Sequence, residues 1–258
     1  MKKSKAFWIC TALCLVMAVM MIVAMQAGMT RAENAVASGG NYDPDLEMFL
    51  GMKEHVSGAS MLANILGMGF NTIFIGVFIA IFLSSEFGFG TMKNTLSRGA
   101  DRIKVYFSKL LTCGVAALVM QLMFMLAALA MGSIIWGFDP QGVVTAGGIL
   151  GMMSMQLLLT LAFSALFTFV SMSVRAGGGS IAINIVCVTM VSTLLSALSM
   201  LFGGGIDLNN YWIGESVSKL ATIAPVSGDI VNGILIALAW GTASILAGTM
   251  LFRKQDVK

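Results

Sequence analysis

EFGFGTMKNTLSRGADRIKVYFSK, from Glu86 to Lys109, is the stretch that orders everything around it. It holds five of the fifteen Lys and Arg residues: Lys93, Arg98, Arg102, Lys104 and Lys109. The runs on either side, Val56–Ser85 and Leu110–Phe138, contain no Asp, Glu, Lys or Arg. A helix of about 20 apolar residues crosses the hydrocarbon core of a bilayer, so each flank is long enough to span. A compact basic insert between two spans is a surface segment, and it sets the direction of every other span.

Composition agrees. The chain is 58% hydrophobic and 10% charged, with a mean hydropathy of +0.91, against the quarter-charged makeup of soluble domains. Outward from the insert, further uncharged runs cover Ala6–Thr30, Pro140–Val174, Ala176–Ile206 and Ile230–Phe252. One span per run gives six, over about 6–29, 59–84, 108–136, 146–172, 180–202 and 231–252. Backbone groups in lipid must be paired within their own segment, so the expected form is an all-α polytopic membrane protein with a single transmembrane domain, 1–258.

Charge orients the spans. With the N-terminus inside, twelve of the fifteen basic residues are cytoplasmic, and only Arg31, Lys53 and Lys219 fall outside with nine of the twelve acids. That is the positive-inside asymmetry. Both termini and segment 86–109 are therefore expected in the cytoplasm, and segments 31–58 and 204–229 outside. The net charge of +3 reports orientation, not nucleic-acid binding. Lys2, Lys3 and Lys5 before an apolar run, with Ala35-Val-Ala37 beyond it, mimic a signal peptide. The run is longer than the 7–15 residues of an h-region, however, and an uncleaved anchor is expected.

No catalytic or metal constellation emerges. Cys10, Cys14, Cys113 and Cys187 fall in or at the edge of spans without a C-x-x-C spacing, and read as inert buried thiols. The one histidine, His55, reads as a solvated loop residue. Gly88-Phe-Gly90-Thr-Met-Lys93 lacks phosphate-loop spacing, and neither H-E-x-x-H nor G-x-S-x-G occurs. No span carries a charge near its middle, unlike proton-coupled pumps. The chain is expected to be no enzyme, to bind no cofactor and to take its energy from elsewhere.

Small residues at Gly147 and Gly151, and at Gly241 and Gly248, suit close helix packing. Gly177-Gly-Gly179 beside Arg175, and Gly203-Gly-Gly205, read as tight turns. Met17, Met20, Met21 and Met25 form a soft stripe on the first span. Outside, Tyr42-Asp-Pro-Asp-Leu-Glu47 reads as a turn into a short helix. The segment Tyr211 to Pro225 reads as a short helical hairpin that lies in the interface or dips partway into the membrane, with Tyr211 and Trp212 in the headgroup belt.

Within the insert, Phe87, Phe89, Met92 and Leu96 make the apolar side of a short amphipathic helix. Gly99 suits a turn, and Asp101 is placed to cap the next helix. That helix turns Ile103, Tyr106, Phe107 and Leu110 to its apolar side and sets Arg102 and Lys109 on one face. A basic loop touching anionic membrane lipid would need fewer fixed positions than these.

Glu86, Gly90-Thr91-Met92-Lys93, Leu96-Ser97-Arg98, Arg102 and Lys109-Leu110-Leu111 resemble the E-x-x-x-G-T-x-K … L-S-R-x-x-x-R … K-L-L pattern of permease subunits of type 2 ABC exporters. The six-span layout with a hairpin between spans five and six is similar as well. Gly99 departs from the pattern, since many members carry proline there. The resemblance implies that residues 86–109 form a coupling helix between spans two and three, docking a separate ATP-binding subunit through Glu86, Gly90, Thr91, Lys93, Arg98 and Arg102. ATP and Mg would be bound by that partner. It further implies a second permease subunit, alike or different, and a bacterial plasma-membrane location. The substrate path would carry Asn64, Asn71, Asn184 and Ser192. The expected cargo is an amphiphilic or hydrophobic substrate (antimicrobial peptide, antibiotic or lipid), with export conferring resistance or self-immunity. A non-transporting accessory or sensor protein, and an energy-independent channel or secondary carrier, are the rival readings.

Overall fold

The computed structural model describes residues 5–37, 56–139, 145–201 and 207–254, except for the side chains of Lys93, Leu96 and Lys254. In chain order the helices are α1 (Lys5–Ala37), α2 (Gly58–Gly67), α3 (Phe70–Gly88), α4 (Thr91–Ser97), α5 (Arg102–Trp136), α6 (Ala146–Val174), α7 (Gly177–Thr189), α8 (Val191–Leu201), α9 (Ile213–Lys219) and α10 (Ser227–Lys254). A 3₁₀ turn, Leu208–Tyr211, precedes α9. Among the described residues there is no β-strand. α1, α3, α5, α6 and α10 are long and apolar enough to cross a membrane, and α7 with α8, bent by 49°, makes a sixth if counted as one span. This is the architecture of an all-α polytopic membrane protein.

Two of the six runs are broken. The run read as one span over 59–84 is α2 and α3, separated where Gly69 takes φ +67°, a left-handed conformation that costs other residues roughly 1–2 kcal/mol. Its N–H bonds back to the Leu66 carbonyl at 3.0 Å and closes α2. The run read over 180–202 bends at Met190, next to Thr189, whose Oγ1 donates to the Ile185 carbonyl at 2.9 Å. Such back-bonding favours bending without imposing it, since Thr112 and Thr160 bond in the same way inside the unbroken α5 and α6.

Other boundaries shift for equally local reasons. α1 continues to Ala37, so Arg31 and Glu33 ride on helix rather than loop. The turn between α6 and α7 is made by Arg175, at φ 59°, and Ala176, while Gly177-Gly-Gly179 opens α7. Those glycines serve approach instead: a Cβ at 177 would lie 3.0 Å from the Ser84 hydroxyl, and one at 179 the same distance from Val174. The expected turns at 42–47 and 203–205 lie outside the described residues, as does His55.

The core has two parts. One joins α3, the first half of α5, α6 and α10 through residues such as Phe78, Tyr106, Phe163, Phe167 and Phe252. The other sets α1 and α2 on the second half of α5, through Cys14, Ala18, Ile22, Leu62, Leu66 and Phe124. Without a hydrophobic drive between helices in lipid, close packing and interhelical hydrogen bonds carry the association. Small residues allow it: a Cβ on Gly132 would lie 3.2 Å from the Gly58 Cα, and one on Gly248 would run into the Tyr106 ring. Gly147 and Gly151, by contrast, face open space. Met17 and Met20 are exposed while Met21 and Met25 pack on the core, so the methionine stripe straddles two environments.

Candidate functional site

At one end of the bundle, α3 runs out at Gly88 and the chain reverses through Gly90, at φ +67°, into α4. Backbone and hydroxyl bonds fix the turn: Asn94 N–H donates to the Gly90 carbonyl at 2.9 Å, and Thr91 Oγ1 to the Glu86 carbonyl at 3.2 Å. Met92 is buried in the same cluster as Leu83, Val105 and Tyr106, so the base of α4 is anchored. Gly99, at φ +83°, turns the chain again, and the Asp101 carboxylate accepts from Ile103 N–H at 3.0 Å as the cap of α5.

The strongest tie is ionic. Lys109 Nζ lies 2.6 Å from Glu86 Oε1, closing the end of α3 onto the start of α5, with the side chains only 26% and 17% exposed. Lys109 also sits 5.8 Å from the Phe82 ring centroid, and the Arg175 guanidinium 5.8 Å from that of Phe87. Such cation–π contacts strengthen when water is excluded.

The six expected docking residues therefore divide. Thr91 and Arg98 are exposed on α4 and just beyond it, together with Asn94, Thr95 and Ser97. Gly90 shapes the turn, and Arg102 is half-buried. Glu86 faces inward to Lys109, which lies seven residues after Arg102 on the same helix. The Lys93 side chain lies outside the described residues. Phe89, expected on the apolar side, is 84% exposed.

The expected path residues divide too. Asn71 is buried and donates to the Gln121 side chain. Asn184 is buried and donates to the Gly76 carbonyl at 3.0 Å. Each knits helices together: α3 to α5, and α7 to α3. Asn64 is exposed on α2. Ser192 lines a cavity of about 140 Å³ with Thr72, Phe163, Gly214 and Ser218.

That cavity lies where the two broken runs meet α9. The Ser218 hydroxyl donates to the Gly67 carbonyl at 2.9 Å, satisfying a carbonyl that the end of α2 leaves open. Gln156 Nε2 on α6 donates to the Val217 carbonyl at 2.8 Å. Trp212 is wedged edge-on against Trp240, with ring centroids 5.0 Å apart. Its buried Nε1 has no hydrogen-bond acceptor among the described residues. Trp212, expected in the headgroup belt, is buried, while Gln121 and Gln156 were visible in the sequence only as amides in apolar runs. A search for charges passes over them.

No cluster of three His, Cys, Asp or Glu suited to a metal ion occurs among the described residues. A family model described as "Protein of unknown function (DUF2705)" matches residues 46–258. No curated protein matches the chain.

Proposed function

We propose, for a chain that belongs to the DUF2705 family, that it is the permease subunit of an ATP-driven exporter whose ATPase is a separate polypeptide docking on α4. In this reading both termini and the insert are cytoplasmic, two permease subunits face each other, and the cargo is amphiphilic or hydrophobic. One observation carries it. α4 and the turn after it present an exposed polar surface, Thr91, Asn94 and Arg98, while the base of α4 is pinned by Met92 and by the Glu86–Lys109 pair. A push on α4 is thereby delivered to α3 and α5 together. The motif resemblance over Glu86–Leu111 supports the same assignment.

The test is co-purification of the full chain with an ATPase encoded beside it. Arg98→Glu reverses an exposed charge and is expected to abolish co-purification while leaving membrane insertion intact. Undiminished co-purification would overturn the docking role. Reconstitution with that ATPase, reading substrate-stimulated hydrolysis, separates a transporter from a sensor.

A further inference from the structure

On the membrane-facing side, α1 and α5 leave an open groove between them, about 680 Å³ in volume, lined by Phe7, Trp8, Leu111, Val115, Ala116 and Val119. It is a large opening for two helices that pack closely elsewhere, where the Cys14–Ala18–Ile22 face of α1 meets the second half of α5. Trp8, Leu111 and Val115 are 60%, 70% and 54% exposed, so the groove is unfilled by the described residues. Its lining is almost wholly apolar, because the Thr112 hydroxyl is spent on the Ser108 carbonyl at 2.8 Å.

The head of the groove is basic. α1 and α5 both start at this end, and each carries an exposed lysine there, Lys5 and Lys104. Lys104, Ser108, Leu111 and Val115 follow one another at spacings of three and four, so the lysine continues the face that lines the groove. Neither lysine makes an ion pair among the described residues. Of the described acids nearby, Glu86 is paired with Lys109, and Asp101 caps α5 through the Ile103 N–H while keeping its charge. Arg98, Arg102, Arg175 and Arg253 add to the same sign at this end.

We propose that this groove holds an acyl chain of an anionic phospholipid, with its phosphate between Lys5 and Lys104. An apolar channel that ends in unpaired cations at the membrane surface matches such a molecule at both ends. Juxtamembrane lysines attract anionic headgroups, and Trp8 is of the type that sits at headgroup level. A second copy of the chain fits less well. A two-fold contact at this face would bring the basic end of one chain against that of the other, and like charges repel. The inference is independent of the exporter reading, since it requires neither an ATPase nor a cargo.

The experiment is native mass spectrometry of the full chain released from nanodiscs containing phosphatidylglycerol and phosphatidylcholine in equal amounts. One phosphatidylglycerol per chain is expected to survive release. Lys5→Gln with Lys104→Gln should cut the preference for it roughly fivefold per lysine, and both positions are exposed, so folding is spared. Val115→Trp should displace the retained lipid whatever its headgroup. Equal retention of the two lipids, or a preference unchanged by the double glutamine variant, would overturn the proposal. So would efficient disulfide trapping of two chains through Val115→Cys with no lipid retained, which would assign the groove to a second copy.

Discussion

The two ends of the bundle are built on opposite principles. At the α4 end, long helices run unbroken into the turns and are locked by an ion pair, a buried Met92 and a capped helix. At the α9 end, two runs are interrupted, the contacts are hydroxyl and amide bonds to backbone carbonyls, and a buried indole N–H has no acceptor among the described residues. Ties of the first kind join α3, α4 and α5 at once, while those of the second join α9 to α2 and α6 one hydrogen bond at a time. On the exporter reading, the first is the stiff end, where the ATPase would push.

The firmest way to break this contrast is to separate helices at the stiff end. Gly248→Leu would drive a side chain into the Tyr106 ring and force α10 from α5. A loss of roughly 1–3 kcal/mol is expected, as for overpacked cores. Size-exclusion chromatography after heating reads it, and Tyr106→Ala should restore part of the loss. If Gly248→Leu is as stable as the parent, α10 is not clamped there.

Next comes the ion pair. Lys109→Met leaves the Glu86 carboxylate partly buried and unmatched, for which about 1–3 kcal/mol is expected. Glu86→Gln alone should cost less, and the double variant less than the sum of the two. Thermal shift of all three closes the cycle, and strict additivity would show that the pair is not coupled.

Gly69→Ala against Gly90→Ala is the sharpest comparison. Both glycines sit at φ +67° with open space where a Cβ would go. Each substitution should therefore cost about 1–2 kcal/mol of backbone strain. If the exporter reading holds, only Gly90→Ala will lower ATPase stimulation in the reconstituted complex, since only that turn sits under the docking face. Equal loss in both would assign the effect to stability alone.

The smallest effect belongs to the far end. Gln156→Leu removes one hydrogen bond to α9, worth about 0.6 and at most about 1.7 kcal/mol in membrane proteins. Hydrogen exchange at residues 213–219 should rise with little change in global stability. Unchanged exchange would show that α9 is held elsewhere.

Much of the fold was legible because charge is expensive in lipid: the gaps between Lys109 and Asp139, or between Asp139 and Arg175, could only be spans. The breaks were hidden because nothing charged marks them. Gly69 lies among Leu, Met and Phe, and the bend at Met190 lies beside a threonine hydroxyl that turns back on its own helix. The insert was legible as turn, short helix and cap, since Gly90, Gly99 and Asp101 act locally. Its inward pairing was not. Glu86 and Lys109 are 23 residues apart and meet only because α3 and α5 are neighbours. The partners of the buried amides were hidden for a related reason. A buried Asn in lipid needs a partner, and for Asn71 and Asn184 the partner is another helix.

The bent pair α7–α8 also constrains how the protein is made. Its pieces have 13 and 11 residues, each well below the roughly 20 that partition into a bilayer unaided. Neither piece is a stable insertion unit when it leaves the ribosome. If the pair enters together, against helices already in place, the Asn184 bond to Gly76 would give it an anchor. Removing that amide would show first in newly made chains stalled short of full insertion, before any loss in the finished protein.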